Sequence, residues 1–317
     1  MVSRRKRSLL LPNHLLPLPA MKDLASCFGE HAVKVSDTSC SGSSSSGNSS
    51  VNDNATSVLN AVTCVYRTRL SAQQELLIRV TWSKGHVSPA LSVGVDDDPS
   101  NPMVHELPLR KKKGSRSCIA GNFAVAVHWD FSSAKYGSGP EPTDGFYIVM
   151  VVNSEFALLL GDMSKDYMRM SEETLPVAEF SMVSRREQVI GHAIHSTRAR
   201  FRDDGSDHEI TIKCKVDGWD SRDSELSVTV DKKRVVHVRN LRWNFRGNHT
   251  IFVDGSPVDM MWDVHDWWFS SPSGSAVFMF RARSTLESRL WLEEMLHKEQ
   301  GTSRFSLLIQ AFKGSAV

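Results

Sequence analysis

The dipeptide Asp254-Gly255 stands between two apolar stretches, and it constrains the fold more than any other feature of the sequence. Asp-Gly favours a two-residue type I′ turn, because both central residues of that turn need positive φ. Such a turn fixes the register of the two strands that it joins. The predicted cross-strand pairs are Val253–Ser256, Ile251–Val258, Arg246–Asp263, Asn244–His265 and Leu241–Trp268. Residues 241–269 are therefore predicted to form one long antiparallel ribbon with an apolar face and a polar face.

The far end of this ribbon carries Trp267 and Trp268. In a strand that continues to Phe269, Trp268 points to the core and Trp267 to the polar face. Trp267 is therefore predicted to be a surface aromatic residue. Strands of this length are unusual, so a β-bulge is expected at Gly247-Asn248.

Most of the remaining chain from residue 57 onward has the pattern of short strands bounded by turn residues. The clearest runs are 76–82, 90–95, 123–129, 146–152, 156–160, 177–183, 193–201, 209–216, 226–230, 276–280 and 305–312. A short helix is predicted at 162–170 and a C-terminal helix at 285–297. Residues 57–317 are thus predicted to be a mainly β domain, an antiparallel sandwich or barrel, and the pattern leaves one or two subdomains open.

Residues 1–56 differ from the rest of the chain in composition. Nine of the fifteen residues 36–50 are serine, and such a segment buries too little apolar area to offset the entropy of ordering. We predict a disordered leader. Its first twenty residues are interpreted as an extension before a start at Met21, with a transit peptide as the alternative.

Composition sets limits on compartment and partner. The 317 residues have a net charge of +2 and 40% apolar content, which indicates neither nucleic acid nor an acidic membrane as a general partner. No apolar run is long enough to cross a bilayer. The five cysteines have no paired spacing, so a reducing compartment, cytoplasmic or nuclear, is predicted, while a plastid or membrane-peripheral location stays open.

One dense basic segment, residues 110–116, lies inside the predicted domain. Its cations are Arg110, Lys111, Lys112, Lys113 and Arg116. It could bind a protein partner, anionic headgroups or phosphates, or serve as a nuclear signal. A loop that keeps a sheet edge soluble explains it equally well.

Several acidic residues and His265 have the chemistry of metal ligands. Asp259 and His265 would be about 20 Å apart on the ribbon, and Asp263 and His265 would face arginines, so no metal site is predicted there. The Asp96–Asp98 run could be one loop of a calcium site, but a solvated turn before Pro99 explains it better. No recognised catalytic motif is present, and no cofactor is predicted.

Several longer motifs, taken together, resemble one plant family. They are Met21–Phe28, Lys111–Ser115, Tyr136–Pro142, Leu158–Met163, Trp243–Asn248, Trp262–Trp267 and Ser288–Glu294. The chain is similar, from about Met21 to its C-terminus, to the land-plant proteins of the domain of unknown function 868. The resemblance implies a plant origin and no established activity, so it supplies no catalytic residues.

These observations favour a non-enzymatic binding or adaptor module with a protein partner. A peripheral module that binds anionic lipid or phosphate through residues 110–116 is the first alternative. An enzyme with a site near residues 241–269 is the second.

Overall fold

The computed structural model describes residues 57–85, 89–96, 105–171, 174–191, 194–215, 224–270, 274–283 and 305–313. Three predictions fall outside these residues: the leader 1–56, the helix at 285–297 and the Asp97–Asp98 part of the acidic run. The described residues contain nineteen strands and two helices.

The largest element is a nine-stranded open sheet with the order β16-β17-β18-β19-β11-β1-β2-β3-β4. Neighbouring strands are antiparallel except β11 and β19, which are parallel. Its strands are β1 (Val58–Arg69), β2 (Glu75–Ser83), β3 (Ala90–Asp96), β4 (His105–Leu109), β11 (Glu179–Ile190), β16 (Arg246–Val253), β17 (Ser256–Asp263), β18 (Ser275–Ala282) and β19 (Ser306–Phe312).

Two four-stranded sheets complete the fold, in the orders β10-β9-β6-β5 and β12-β13-β14-β15. Their strands are β5 (Lys113–Ala120), β6 (Phe123–Asp130), β9 (Tyr147–Val152), β10 (Glu155–Leu160), β12 (Ile194–Ala199), β13 (His208–Lys215), β14 (Glu225–Val230) and β15 (Lys233–Arg239). A small hairpin, β7 (Lys135–Tyr136) and β8 (Pro142–Asp144), and the helices α1 (Ser164–Met170) and α2 (His265–Phe269) make up the remainder.

Both four-stranded sheets pack on the same face of the nine-stranded sheet. Trp82, Val62, Glu187 and Ile309 are successive cross-strand partners on β2, β1, β11 and β19, so their side chains share one face. Trp82 belongs to the core under β5, β6, β9 and β10, whereas Ile309 belongs to the core under β12–β15. The molecule is therefore a sandwich with two cores side by side, and Glu187 lies between them.

The two cores come from an internal repeat. Strands β1-β2-β3-β4 and then β5-β6-β9 have the same order and pairing as β12-β13-β14-β15 and then β16-β17-β18. The first repeat contributes its first sheet to the nine-stranded sheet, and the second repeat contributes its last three strands. This exchange of roles is what joins two sandwiches through one continuous sheet.

The predicted Asp254-Gly255 turn is confirmed, and so is the register of the strands beside it. The predicted pairs Asn244–His265 and Leu241–Trp268 are wrong, because the two strands end at Arg246 and Asp263. Both turn residues have positive φ, and the strand pairs run without interruption from Val253–Ser256 to Arg246–Asp263. The bulge predicted at Gly247-Asn248 is wrong, because the register has no shift at these residues. Each strand of the ribbon has eight residues and is shorter than expected. Beyond Asp263 the chain enters α2, which begins when the Asp263 carboxylate accepts the His265 N–H at 3.0 Å.

The prediction that Trp267 lies on the surface is also wrong. Trp267 is buried rather than on the surface, because a helix and not a strand carries it, and the alternation of faces ends at Asp263. The mainly β fold, an open sandwich and not a closed barrel, is confirmed, and so is the short helix predicted at 162–170. Neither of the two helices in the described ranges is long enough to cross a membrane.

Candidate functional site

The basic segment lies at a corner of the sandwich, where β4 at the edge of one sheet connects to β5 at the edge of the other. Arg110, Lys111 and Lys112 are exposed, and no carboxylate in the described part of the chain pairs with them. Lys113 is paired: its Nζ is 2.9 Å from Asp130, and this contact raises the pKa of Lys113. We call residues 110–113 the basic loop.

A glycine opposite a tryptophan fixes the backbone of the basic loop. Gly114 is the cross-strand partner of Trp129, and a Cβ on Gly114 would come within 2.9 Å of the indole ring. The ring therefore lies over the glycine, and its Nε1–H donates a 2.8 Å hydrogen bond to the Lys111 carbonyl. This loop is consequently held by a buried tryptophan while its cationic side chains stay in solvent.

The same arrangement recurs in the second repeat, each residue 133 positions after its counterpart (246 against 113, 263 against 130). Gly247 pairs with Trp262, whose Nε1–H donates to the Asn244 carbonyl at 2.9 Å. Arg246 pairs with Asp263 at 2.7 Å, as Lys113 does with Asp130. Both hairpins have eight-residue strands and a two-residue turn, so they are equivalent to the residue.

Residues 240–245 connect to β16 as the shorter segment 110–112 connects to β5, and they carry the most exposed large apolar side chain in the described ranges. Trp243 is 85% exposed, between the exposed residues Arg242 and Asn244. Asn240 accepts hydrogen bonds from the Trp243 and Asn244 N–H groups at 2.9 and 3.1 Å. The backbone is thus ordered around an exposed indole, and we call residues 240–245 the tryptophan loop.

Each hairpin also places at a sheet edge a strand whose outer side pairs with no other strand in the described part of the chain. β5 is the outer strand of its four-stranded sheet and β16 the outer strand of the nine-stranded sheet. Equivalent positions on the two edges are apolar and exposed, Ile119 at 76% and Phe252 at 73%. Both corners therefore combine a cation at the start of an open edge with an apolar side chain near its end.

A central polar cluster fills the space between the two cores. It consists of Cys64, Tyr66, Glu141, Arg185, Glu187, His195 and Thr197. The Glu187 side chain is fully buried and accepts hydrogen bonds from Arg185 at 2.7 Å and Thr197 at 2.6 Å, and its other oxygen is 2.7 Å from His195 Nε2. Arg185 also binds both oxygens of Glu141, at 3.0 and 2.6 Å.

The electrostatics of this cluster favour a structural role. Burial opposes ionisation of Glu187, but His195, Arg185 and Thr197 outweigh it and lower its pKa. Burial and the Glu141 charge raise the pKa of Cys64 to about 12. Because the thiolate is the nucleophilic form of cysteine, Cys64 is an inert thiol near neutral pH.

Ser206, His208 and Asp231 have the spacing of a catalytic triad without its chemistry. His208 Nδ1 is 2.6 Å from Asp231, and its Nε2 is 3.3 Å from the Ser206 hydroxyl. However, Nε2 is also 2.9 Å from Asp254, so both ring nitrogens face a carboxylate. These carboxylates outweigh the effect of burial and raise the pKa of His208, which stabilises an imidazolium that cannot accept a proton from Ser206.

One apolar cavity lies in the core of the second repeat, beside α2. Its walls include Trp267, Trp268, Leu241, Cys214 and His195. Its volume is about 30 Å³. That room holds about two water molecules. Trp268 Nε1 is buried and without a hydrogen-bond partner among the described residues. The cavity contains none of His265, Asp263 or His128, the groups that an enzyme near the ribbon would use.

The residues considered as metal ligands are held by other contacts. Asp259 binds Thr250 and Arg283 at 2.9 and 2.7 Å, and Asp96 binds Arg79 at 2.8 Å. Within the described ranges, no group of three or more His, Cys, Asp or Glu residues could hold a metal ion.

The internal repeat was missed in the sequence, although a signal for it exists. Lys113-Gly114 precedes Trp129-Asp130 by the same spacing with which Arg246-Gly247 precedes Trp262-Asp263. Two such pairs of dipeptides are a weak pattern by themselves. Their meaning becomes clear only when the glycine is found under the tryptophan ring.

Fold and site together define a two-repeat β-sandwich protein with internally paired buried charges and two exposed corner loops. The chain belongs to the family of plant proteins of unknown function known as DUF868, whose model matches residues 57–313. This confirms the resemblance seen in the sequence for those residues, and the Met21–Phe28 motif lies outside the match. No match is found among curated proteins or among solved structures.

Proposed function

We propose that the protein is a non-enzymatic binding module, an adaptor whose basic loop docks on an acidic surface of a partner protein. The observation that carries this proposal is the concentration of unpaired cations on a fixed backbone. Arg110, Lys111 and Lys112 are exposed at one corner, and Arg116 adds a fourth charge on β5. Lys113 is offset by Asp130 and contributes less.

The fixed backbone bears on affinity as well as on position. Ordering a loop on binding costs free energy, and a loop that is already ordered avoids that cost. The hydrogen bond from Trp129 to the Lys111 carbonyl supplies such order. Exposed charges also steer association, so the on-rate should fall as salt rises.

The enzyme alternative receives less support from the same structure. Two groups with nucleophile or base chemistry are occupied: Cys64 in the central polar cluster and His208 between two carboxylates. The apolar cavity is too small for a substrate of ordinary size. These contacts are typical of groups that stabilise a fold.

The test replaces Arg110, Lys111 and Lys112 by serine and measures binding of the full chain to a fluorescent oligoglutamate peptide. The matched control removes three exposed cations at the β14–β15 turn, Lys232, Lys233 and Arg234. We expect the basic-loop variant to lose binding that the control retains, and wild-type binding to weaken as salt rises. Equal binding by both variants would refute the proposal.

Anionic lipid is the competing outcome. Vesicles of phosphatidylcholine with phosphatidylserine are tested with the same three proteins. Loss of vesicle binding in the basic-loop variant, with no peptide binding by the wild type, would favour the membrane-peripheral alternative and contradict a protein partner.

A further inference from the structure

We infer that β5 and β16 are two equivalent strand-addition sites, each of which accepts an extended peptide segment with acidic side chains at one end and apolar side chains at the other. The inference rests on the proposed function at the basic loop and goes beyond it. It names the binding mode, the partner chemistry and a second site that includes the tryptophan loop.

Alternate residues on each edge strand direct their backbone N–H and C=O groups away from the sheet. Residues that flank a two-residue turn form a hydrogen-bonded pair, and hydrogen-bonded pairs alternate along an antiparallel ribbon. Ala120 is therefore paired to β6 through its backbone, and so are alternate residues back to Lys112, whose carbonyl accepts from Phe131 at 2.8 Å. The intervening residues of β5 direct their backbone N–H and C=O groups away from the sheet. They are Lys113, Ser115, Ser117 and Ile119.

The same parity holds on β16. Val253 flanks its turn, and at the other end Phe245 accepts the Val264 N–H at 2.8 Å. The residues with outward backbone groups are therefore Arg246, Asn248, Thr250 and Phe252. Each is 133 positions after its counterpart on β5.

The side chains at these positions differ from those of an edge that is only protected from aggregation. A sheet edge that is merely protected from aggregation carries charges, proline or a bulge, and exposes no large apolar residue along it. Here each edge begins with Lys113 or Arg246 and exposes Ile119 or Phe252 six residues later. Protection explains the cations but not the two apolar side chains. An added strand explains those side chains because it covers each of them, whereas the two cations already have carboxylate partners in Asp130 and Asp263.

The length of each edge and the charges beside it indicate the chemistry of the peptide that would bind there. Six residues of strand span about 20 Å, so one extended segment reaches from the basic end to the apolar end. Acidic side chains complement Arg110, Lys111 and Lys112 on one corner. On the other corner Arg246 is exposed and already paired with Asp263 at 2.7 Å, so an acidic side chain there would share the guanidinium with that carboxylate. A lipid headgroup or a folded acidic surface would leave the outward backbone groups unpaired. A peptide in β conformation pairs them, as in β-augmentation.

The probe is a synthetic peptide of the length of β5, eight residues, with two glutamates and then two valines alternating with threonine. A second peptide has the same sequence with N-methyl groups on alternate residues. Isothermal titration with the full chain should give two bound peptides, and the N-methylated peptide should bind about tenfold more weakly or worse.

Two proline variants test the edges one at a time. Ser115→Pro and Asn248→Pro each remove one outward N–H and leave the hydrogen-bonded pairs to the neighbouring strand intact. Ser115→Ala and Asn248→Ala are the controls, since they keep that N–H. Each proline variant should bind one peptide, the double variant none, and both alanine variants two, with thermal melting used to confirm that all variants fold.

The outcomes separate this inference from the proposed function. Unchanged stoichiometry in the proline variants, or equal binding of the N-methylated peptide, would overturn strand addition. If the basic-loop serine variant still lost binding to oligoglutamate, the proposed function would stand without strand addition. A single bound peptide that is lost only in Ser115→Pro would overturn the second site.

Discussion

Nε2 of His208 lies 2.9 Å from Oδ2 of Asp254, so one imidazole ties β13 to the Asp254-Gly255 turn. Its other nitrogen is 2.6 Å from Asp231, in the turn between β14 and β15. A single buried side chain therefore joins two turns from the two sheets of the second repeat. Three charges in this arrangement titrate, so the stability of the second repeat should depend on pH.

The sign follows from the direction of each pKa shift. The raised pKa of His208 gives a stabilisation that is complete below its unfolded value of about 6.5 and is lost as pH rises through the folded value. Hydrogen bonds from His208 lower the pKa values of Asp231 and Asp254, so their contribution is complete above about 3.9 and is lost as pH falls. The stabilisation should be greatest between about pH 4 and pH 6.5.

His208→Gln should therefore lower the free energy of unfolding most near pH 5 and less near pH 9. Urea unfolding of both proteins across this range measures the difference. Ser206→Ala keeps both carboxylate contacts and should retain the wild-type pH profile. A constant difference between wild type and His208→Gln at all pH values would show that the imidazole acts only through packing.

Glu187 is the residue on which the central polar cluster depends. Its carboxylate is fully buried and contacts Arg185, His195 and Thr197. Glu187→Ala leaves a buried guanidinium with one of its two carboxylate partners, and the loss of a buried ion-pair partner costs about 3–5 kcal/mol. Glu75→Ala removes an exposed partner of Arg69 and should cost about 0–1 kcal/mol.

Chemical denaturation of these two variants gives the comparison. Because Glu187 lies between two cores, its loss should also reduce the cooperativity of unfolding, which appears as a lower denaturant m-value or a second transition. A Glu187→Ala variant as stable as Glu75→Ala would contradict the role assigned to the cluster.

The sequence predicts the local parts of this fold and not their arrangement. The Asp254-Gly255 turn is predicted because Asp-Gly imposes a backbone conformation that determines the register. Trp267 is predicted wrongly because strand periodicity carries no signal for where a strand stops. The strand ends at Asp263, whose carboxylate accepts the His265 N–H two residues further on.

The central polar cluster is harder to predict from the sequence than the turn is. Cys64, Glu141 and Glu187 come from three distant segments, and each looks like an ordinary surface or core residue in its own segment. The pairing of β1 with β11 places Cys64 near Glu187, and the loop of the β7–β8 hairpin brings Glu141 to them. The basic segment is recognised because its charges are consecutive in the chain, whereas the equivalence of the tryptophan loop requires the repeat.

Cysteine reactivity tests the electrostatics of the cluster directly. Cys64 is buried, and burial and the Glu141 charge raise its pKa to about 12. Cys64 should resist iodoacetamide at pH 8 in the folded protein and should react after denaturation, as peptide mass spectrometry would measure. Arg185→Met removes the cation that faces Cys64, so Cys64 in that variant should stay unreactive if the variant folds; rapid labelling of Cys64 in the folded wild type would disprove the assignment.

Gly114 and Gly247 give a test of the repeat that does not depend on binding. A Cβ at Gly247 would overlap the Trp262 ring, and one at Gly114 would come within 2.9 Å of the Trp129 ring. Each alanine variant must displace a tryptophan whose indole N–H fixes the adjacent loop, so each should lose about 1–3 kcal/mol of stability. We expect Gly247→Ala to cost more, because its contact is closer.

Gly137→Ala is the control, since its Cβ would meet only Thr143 at an ordinary 3.8 Å. Thermal melting ranks the three variants, and the indole N–H signals of Trp129 and Trp262 in NMR spectra report whether the hydrogen bonds to Lys111 and Asn244 survive. If the repeat arrangement holds the loops, each variant shifts the indole signal of its own hairpin and leaves that of the other unchanged. A shift of both signals in either variant would mean that the two hairpins are not independent supports, and the basic loop and the tryptophan loop would then have to be treated as one coupled unit.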